Sequence, residues 1–125
     1  MVLYIEDNLT NMRLVEQIFR LRQNVKFLHA STAEIGIQMA LHEKPKLILM
    51  DINLQGMDGF AALRALKAMP ETAHIPVVAV TANAMKEDQS KGISAGFSDY
   101  ITKPIDVTEF LKTVDRFLLI NYPSM

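Results

Sequence analysis

Leu47-Ile-Leu-Met50 runs directly into Asp51, and Asn53-Leu-Gln-Gly-Met-Asp-Gly59 follows as a turn-rich loop. A continuous apolar run of that length, bounded by turn residues, reads as a strand buried on both faces, as in a parallel sheet covered by helices. Outward from it the pattern repeats. Val2-Leu-Tyr-Ile5 ends in Glu6-Asp7, Val77-Val-Ala-Val80 in Thr81, and Tyr100-Ile-Thr102 in Lys103-Pro104. The stretch 25–30 alternates apolar and polar residues, as an edge strand does. Strand-length runs alternate with helical segments from end to end, which is the signature of βα units, here five, in one doubly wound α/β domain over 1–125. In such an open sheet the ligand crevice lies beyond the carboxyl ends of the strands, so the four polar endings are expected to meet.

The helical segments punctuate themselves. The first is expected over 8–22, capped by Asn8, with Met12, Val15, Ile18 and Phe19 inward. Ser31 with Glu34 forms a capping-box pattern for the second, which turns Ile37, Ala40 and Leu41 to the core and stops at Pro45. The third buries Phe60, Leu63 and Leu66 and ends near Met69-Pro70. A fourth, over 84–95, carries so many polar residues that it is expected to dock weakly. The last is capped by Asp106 with Glu109 and points Val107, Phe110, Leu111, Val114, Phe117 and Leu118 inward.

Composition excludes several classes. A formal charge of -1, with no run of Lys or Arg, supplies no field for gripping nucleic acid. The chain has no Cys, hence neither disulfides nor a thiolate metal site. No secretory signal or apolar stretch approaches membrane length, so a cytoplasmic location and no membrane partner are expected. The eight Met read as core filler. The first strand starts at residue 2, which fits either a stand-alone domain or a piece of a longer protein.

Glu6, Asp7 and Asp51, if brought together, repel by on the order of 4 kcal/mol per pair at about 4 Å and an effective dielectric of about 20. Such a site wants a cation. Hard oxygen ligands, with no His or Cys beside them, suit a divalent ion of the Mg2+ kind, which takes one or two carboxylates and a substrate phosphate. A carboxylate is also able to act as nucleophile and form an aspartyl phosphate. Asp51 stands alone at the end of the most apolar strand and is the candidate for that role, while adjacent Glu6 and Asp7 share the metal. Lys103 would pair with phosphoryl oxygens and Thr81 would donate a hydroxyl hydrogen bond.

The acidic pair Glu6-Asp7, the lone Asp51, the Met57-Asp58-Gly59 turn, Thr81-Ala82, Tyr100 and Lys103-Pro104 together resemble the receiver domain of two-component response regulators over the whole chain. The resemblance implies a flavodoxin-like sheet of order 2-1-3-4-5 and a phosphoacceptor function in a phosphorelay: a phosphoryl group passes from a phosphohistidine, on a sensor histidine kinase or histidine phosphotransfer domain, to Asp51. It implies Mg2+ held by Glu6, Asp7, Asp51 and the backbone carbonyl of Asn53, with Asp7 before Glu6 as direct ligand. It also implies a switch pair, Thr81 and Tyr100, that reshapes the face made by the 84–95 helix, the fifth strand and the last helix, a face also suited to a homodimer. A signalling domain with no turnover substrate follows. Gln55 departs from the family, where Pro is frequent. Tyr4-Ile-Glu-Asp-Asn8 and Lys103-Pro-Ile-Asp106 are similar to receivers of hybrid sensor kinases or stand-alone ones.

Two rivals share the chemistry. Phosphatases of the haloacid-dehalogenase type use an Asp nucleophile, a Thr or Ser, a Lys and an acidic pair around Mg2+, but there the nucleophile comes first in the chain and carries a second Asp two residues on. Here the pair comes first and position 53 is Asn. The other rival is a receiver-like binding module that is never phosphorylated. His29, His42 and His74 lie scattered, without the setting of a phosphodonor histidine, which favours an acceptor.

Overall fold

A computed structural model describes residues 1–21, 25–52, 59–82 and 96–119. Five strands, β1 (Val2–Ile5), β2 (Phe27–Ala30), β3 (Leu47–Asp51), β4 (Val77–Thr81) and β5 (Asp99–Thr102), form one parallel sheet in the order β2-β1-β3-β4-β5. The expected order and fold class are the observed ones. Among the described residues the helices are α1 (Leu9–Phe19), α2 (Ala33–Glu43), α3 (Gly59–Ala68) and α4 (Val107–Leu119). None is long and apolar enough to cross a membrane. The loop positions 53–58, including Asn53 and Gln55, and the helix expected over 84–95 lie outside the described residues.

Strand alternation sorts the core into two layers. Leu3, Ile5, Ile48, Met50, Val77 and Ala79 pack under α2 and α3, whereas Val2, Tyr4, Leu47, Leu49, Val78 and Val80 pack under α1 and α4. The three central strands are buried along both faces, while edge strand β2 is only half-buried over most of its length. That is why the central runs read as unbroken apolar stretches and β2 as an alternating one.

Helix ends agree with the sequence in kind and differ in detail. Asn8 caps α1, its side chain accepting from Asn11 N at 3.0 Å. The cap of α2 is Thr32, not Ser31: the Thr32 hydroxyl accepts from Ile35 N at 3.1 Å, so the helix begins one residue later than the capping-box pattern implied. Within α2 the buried positions are Ala33, Gly36 and Ala40, with Ile37 and Leu41 only half-buried, because the helix lies so close to β1 that a Cβ on Gly36 would stand 2.4 Å from Ile5 Cδ1. Asp106 accepts from Glu109 N at 3.0 Å and caps α4. Val107, expected inward, is 41% exposed. Ile105 and Phe110 occupy the positions that staple a helix start onto its core, and both join the cluster beneath α4, leaving Val107 outside.

One glycine is required by close backbone approach. A Cβ on Gly59, the first residue of α3, would stand 2.8 Å from Ile52 Cα and 3.1 Å from the Asp51 carbonyl oxygen. Gly59 N also donates to Ile52 O at 3.1 Å, which ties the helix start to the end of β3. Main chain is unable to swing aside as a side-chain tip does. We expect Gly59→Ala to cost about 1–3 kcal/mol despite alanine's better helix propensity. Urea unfolding checks this; an undiminished midpoint would mean that the end of β3 yields easily.

Candidate functional site

The strands end at one level. Ile5 pairs with Met50, Asp51 with Val80, and Thr81 with Thr102. The ladder continues into the loops through Glu6 N to Ala30 O at 3.0 Å, Ile52 N to Val80 O at 3.1 Å and Lys103 N to Thr81 O at 2.8 Å. Side chains that follow the strands are thereby presented along a single edge. The Lys103–Pro104 peptide is cis.

Along that edge the acids converge. Carboxylate oxygens of Glu6, Asp7 and Asp51 lie within 4.8 Å of one another. Glu6 and Asp51 are buried, at 0% and 4% exposure, and Asp7 is exposed, so the group opens to solvent through Asp7. Lys103 Nζ reaches across to Asp51 Oδ2 at 2.9 Å and to Glu6 Oε1 at 3.3 Å. Asn11 Nδ2 donates to the same Glu6 Oε1 at 2.7 Å. Glu6 Oε2 is buried and has no hydrogen-bond partner among the described residues.

Charge explains the titration of these groups. Burial, then the neighbouring Asp51, pushes the Glu6 carboxyl up to about 7 against the pull of Asn11 and Lys103. Burial works to lower the Lys103 ammonium, but the hydrogen bond and charge of Asp51, followed by Glu6, outweigh it and raise its pKa. Burial and the charges of Glu6 and Asp51 also hold the Tyr4 phenol well above its usual range.

Among the described residues, three carboxylates against the Lys103 ammonium leave negative charge to be balanced. An all-oxygen donor set with a buried, unpartnered carboxylate oxygen fits a hard divalent cation.

Thr81 is buried at the end of β4, on the sheet face that also carries Ala79. Tyr100 is half-buried and packs on that face, its ring centroid 6.4 Å from that of Phe97, which in turn meets Phe60 of α3 edge-on. Glu6, Asp7, Asp51 and Lys103 are thus drawn together, with Thr81 at the same edge and Tyr100 packed below on the α2 and α3 side. Two neighbours of the acids, Asn11 and the Tyr4 hydroxyl, were not singled out in the sequence, and His29, read there only as a scattered histidine, donates from Nε2 to the Glu6 carbonyl oxygen at 2.8 Å.

Residues 2–115 match the response regulator receiver domain family, and the chain belongs to it. The polar-differentiation response regulator DivK of Brucella anthropi is 36% identical over 117 residues, which cover 94% of each chain. Response regulator PleD of Caulobacter vibrioides is 38% identical over 125 residues, 95% of this chain and 27% of PleD, so the chain spans about a quarter of that relative. Among solved structures, the receiver domain of a sensor histidine kinase from Pseudomonas aeruginosa, described with a magnesium ion coordinated in its active-site cleft, superposes with a TM-score of 0.84 at 28% identity, covering 94% of this chain and 95% of that one. The chain is therefore a receiver domain of two-component signalling, of the phosphoacceptor type, and the family membership leaves the phosphatase reading without support.

Proposed function

We propose that Asp51 accepts a phosphoryl group from a phosphohistidine on a sensor histidine kinase or histidine phosphotransfer domain, at a Mg2+ site made by Glu6, Asp7, Asp51 and the Asn53 backbone carbonyl. The observation that carries the reading is the meeting of Lys103 with Asp51 at 2.9 Å inside a cluster of three carboxylates. In the transfer, a carboxylate oxygen of Asp51 attacks phosphorus, the P–N bond breaks as the P–O bond forms, and the imidazole leaves. The cation supplies charge neutralisation for the phosphoryl oxygens. Lys103 Nζ lies 2.9 Å from Asp51 Oδ2, and once that carboxylate becomes an acyl phosphate the ammonium pairs with a phosphoryl oxygen instead. Thr81 donates its hydroxyl to another, and its inward movement frees space for the Tyr100 ring.

The readout face includes β5 and α4, joined by the ion pair of Asp99 with Arg116, and it is where a second copy of the chain or another protein would read the change. On this reading the domain is not a turnover enzyme. It works in the cytoplasm with protein partners, as one unit over 1–125, without contacting nucleic acid or membrane.

With a small acyl-phosphate donor and Mg2+, mass spectrometry should find one added phosphoryl group that hydroxylamine removes. Chelating the metal should slow its uptake by about a hundredfold or more, the scale of losing a main electrostatic stabiliser. No uptake with donor and metal in excess would overturn the proposal in favour of the unphosphorylated module, and multiple turnover of a phosphate ester would revive the phosphatase.

A further inference from the structure

The two oxygens of the buried Glu6 carboxylate have different surroundings. Oε1 accepts from Asn11 Nδ2 at 2.7 Å and Lys103 Nζ at 3.3 Å, while Oε2 has no partner among the described residues. The main chain is pinned separately, by Glu6 N to Ala30 O at 3.0 Å and by His29 Nε2 donating to Glu6 O at 2.8 Å. What remains to be fixed is the side chain, which has one more torsion than an aspartate and swings more widely. Asn11 fixes it. Asn8 caps α1 and takes the Asn11 backbone N–H at 3.0 Å, and Asn11 occupies the third helical position, from which a side chain reaches back past the helix start. Its amide therefore meets the carboxylate that precedes the cap.

We propose that Asn11 is a positioning residue of the cation site: by engaging Oε1 it holds the Glu6 carboxylate in one orientation and leaves Oε2 as the oxygen offered to the metal. This rests on the reading that Glu6, Asp7 and Asp51 hold Mg2+. Ligands oriented by an outer partner lose affinity when that partner goes, about tenfold or more. The loss depends on the ion. Mg2+ demands near-ideal octahedral geometry at short distances, whereas Ca2+ accepts irregular shells at longer ones, so a loosened Glu6 penalises Mg2+ more.

The test is calorimetric titration of the native chain, Asn11→Leu and Asn11→Ala with Mg2+ and with Ca2+, each protein checked for cooperative unfolding without metal. Both replacements favour helix, so α1 keeps its propensity. Mg2+ affinity should fall about tenfold in both variants and Ca2+ affinity only about threefold, narrowing the preference between the ions. An equal fall for both ions, or none, overturns the assignment, as does failure of both variants to fold, which would make Asn11 a structural residue. If the native chain binds neither ion, the cation reading falls and this inference with it. If the native chain binds Mg2+ and the variants match it, the inference alone falls.

Discussion

Asp51→Asn should abolish phosphoryl uptake while making the metal-free protein slightly more stable. The amide has no oxygen nucleophile comparable to a carboxylate, so labelling from a small donor should drop to background, a loss of several orders of magnitude. Stability moves the other way because the site holds more acid than base. Asp51 is 4% exposed, with Glu6 and Asp7 carboxylates within 4.8 Å and Lys103 at 2.9 Å. At about pH 8, where Glu6 is ionised, these two repulsions and one closer attraction nearly cancel at an effective dielectric of about 20, so the desolvation of a buried charge decides the sign. Removing it should stabilise by about 1 kcal/mol in chelator. With Asp51 neutral, the second-largest influence raising the Glu6 carboxyl is also gone. Mg2+ stabilises whichever form binds it, in proportion to the logarithm of its saturation, so the native protein should gain more from added Mg2+ than the variant. Thermal unfolding with and without the metal, beside mass spectrometry, reads all of this. A variant that still takes up one hydroxylamine-sensitive phosphoryl would move the acceptor to another carboxylate.

Much of this site was legible in the sequence for a geometric reason. In a parallel sheet every strand delivers its last residue to the same edge, so residue types at run ends translate into neighbours without knowledge of the loops. Glu6, Asp51 and Lys103 met for that reason, across 97 positions of chain in the case of Lys103 and Glu6. Periodicity likewise placed Val15, Ile18 and Phe19 of α1 and Phe110, Val114 and Leu118 of α4 in one cluster. Contacts set by the third dimension were not legible. Asn11 is polar on the first turn of a helix, an unremarkable place, and only the reach from α1 back to Glu6 gives it meaning. His29 sits on an edge strand where a polar residue is ordinary, and its bond to the Glu6 carbonyl depends on the register of β2 against β1. The burial of Gly36 reflects how near α2 lies to Ile5, and Ile105 rather than Val107 closing the start of α4 reflects which turn overlies the sheet. Capping by Thr32 instead of Ser31 came down to one residue of helix phase, a choice that two adjacent hydroxyls leave to tertiary packing.

Lys103→Met separates what the ammonium does for the acids from what it does for the phosphoryl group. Methionine fills similar volume without charge, so Asp51 loses its 2.9 Å partner and Glu6 Oε1 keeps only Asn11. Breaking a buried pair from one side withdraws the ammonium that offsets the acids, and in chelator at about pH 8 the variant should lose about 3 kcal/mol. The deficit should shrink on acidification. Burial and the neighbouring Asp51 push the Glu6 carboxyl up to about 7 in the folded protein from an ordinary 4.5, so the folded state binds the extra proton between those values and stability falls as pH rises through that window. Without Lys103, which lowers the Glu6 carboxyl, the upper end of the window should move higher still. Metal affinity should change in the opposite sense to stability: a cation entering the native site meets the Lys103 charge, and in Lys103→Met it does not, so Mg2+ should bind several-fold tighter and restore most of the lost stability. Phosphoryl uptake should nevertheless fall by about a hundredfold or more, because the donor for one developing phosphoryl charge is gone. Tighter metal with slower phosphorylation is a combination that a simple loss of folding does not produce, since misfolding weakens both. If Lys103→Met bound Mg2+ more weakly, the ammonium would be shown to organise the carboxylates for the metal rather than to compete with it, and its role would lie in building the site instead of in the transfer.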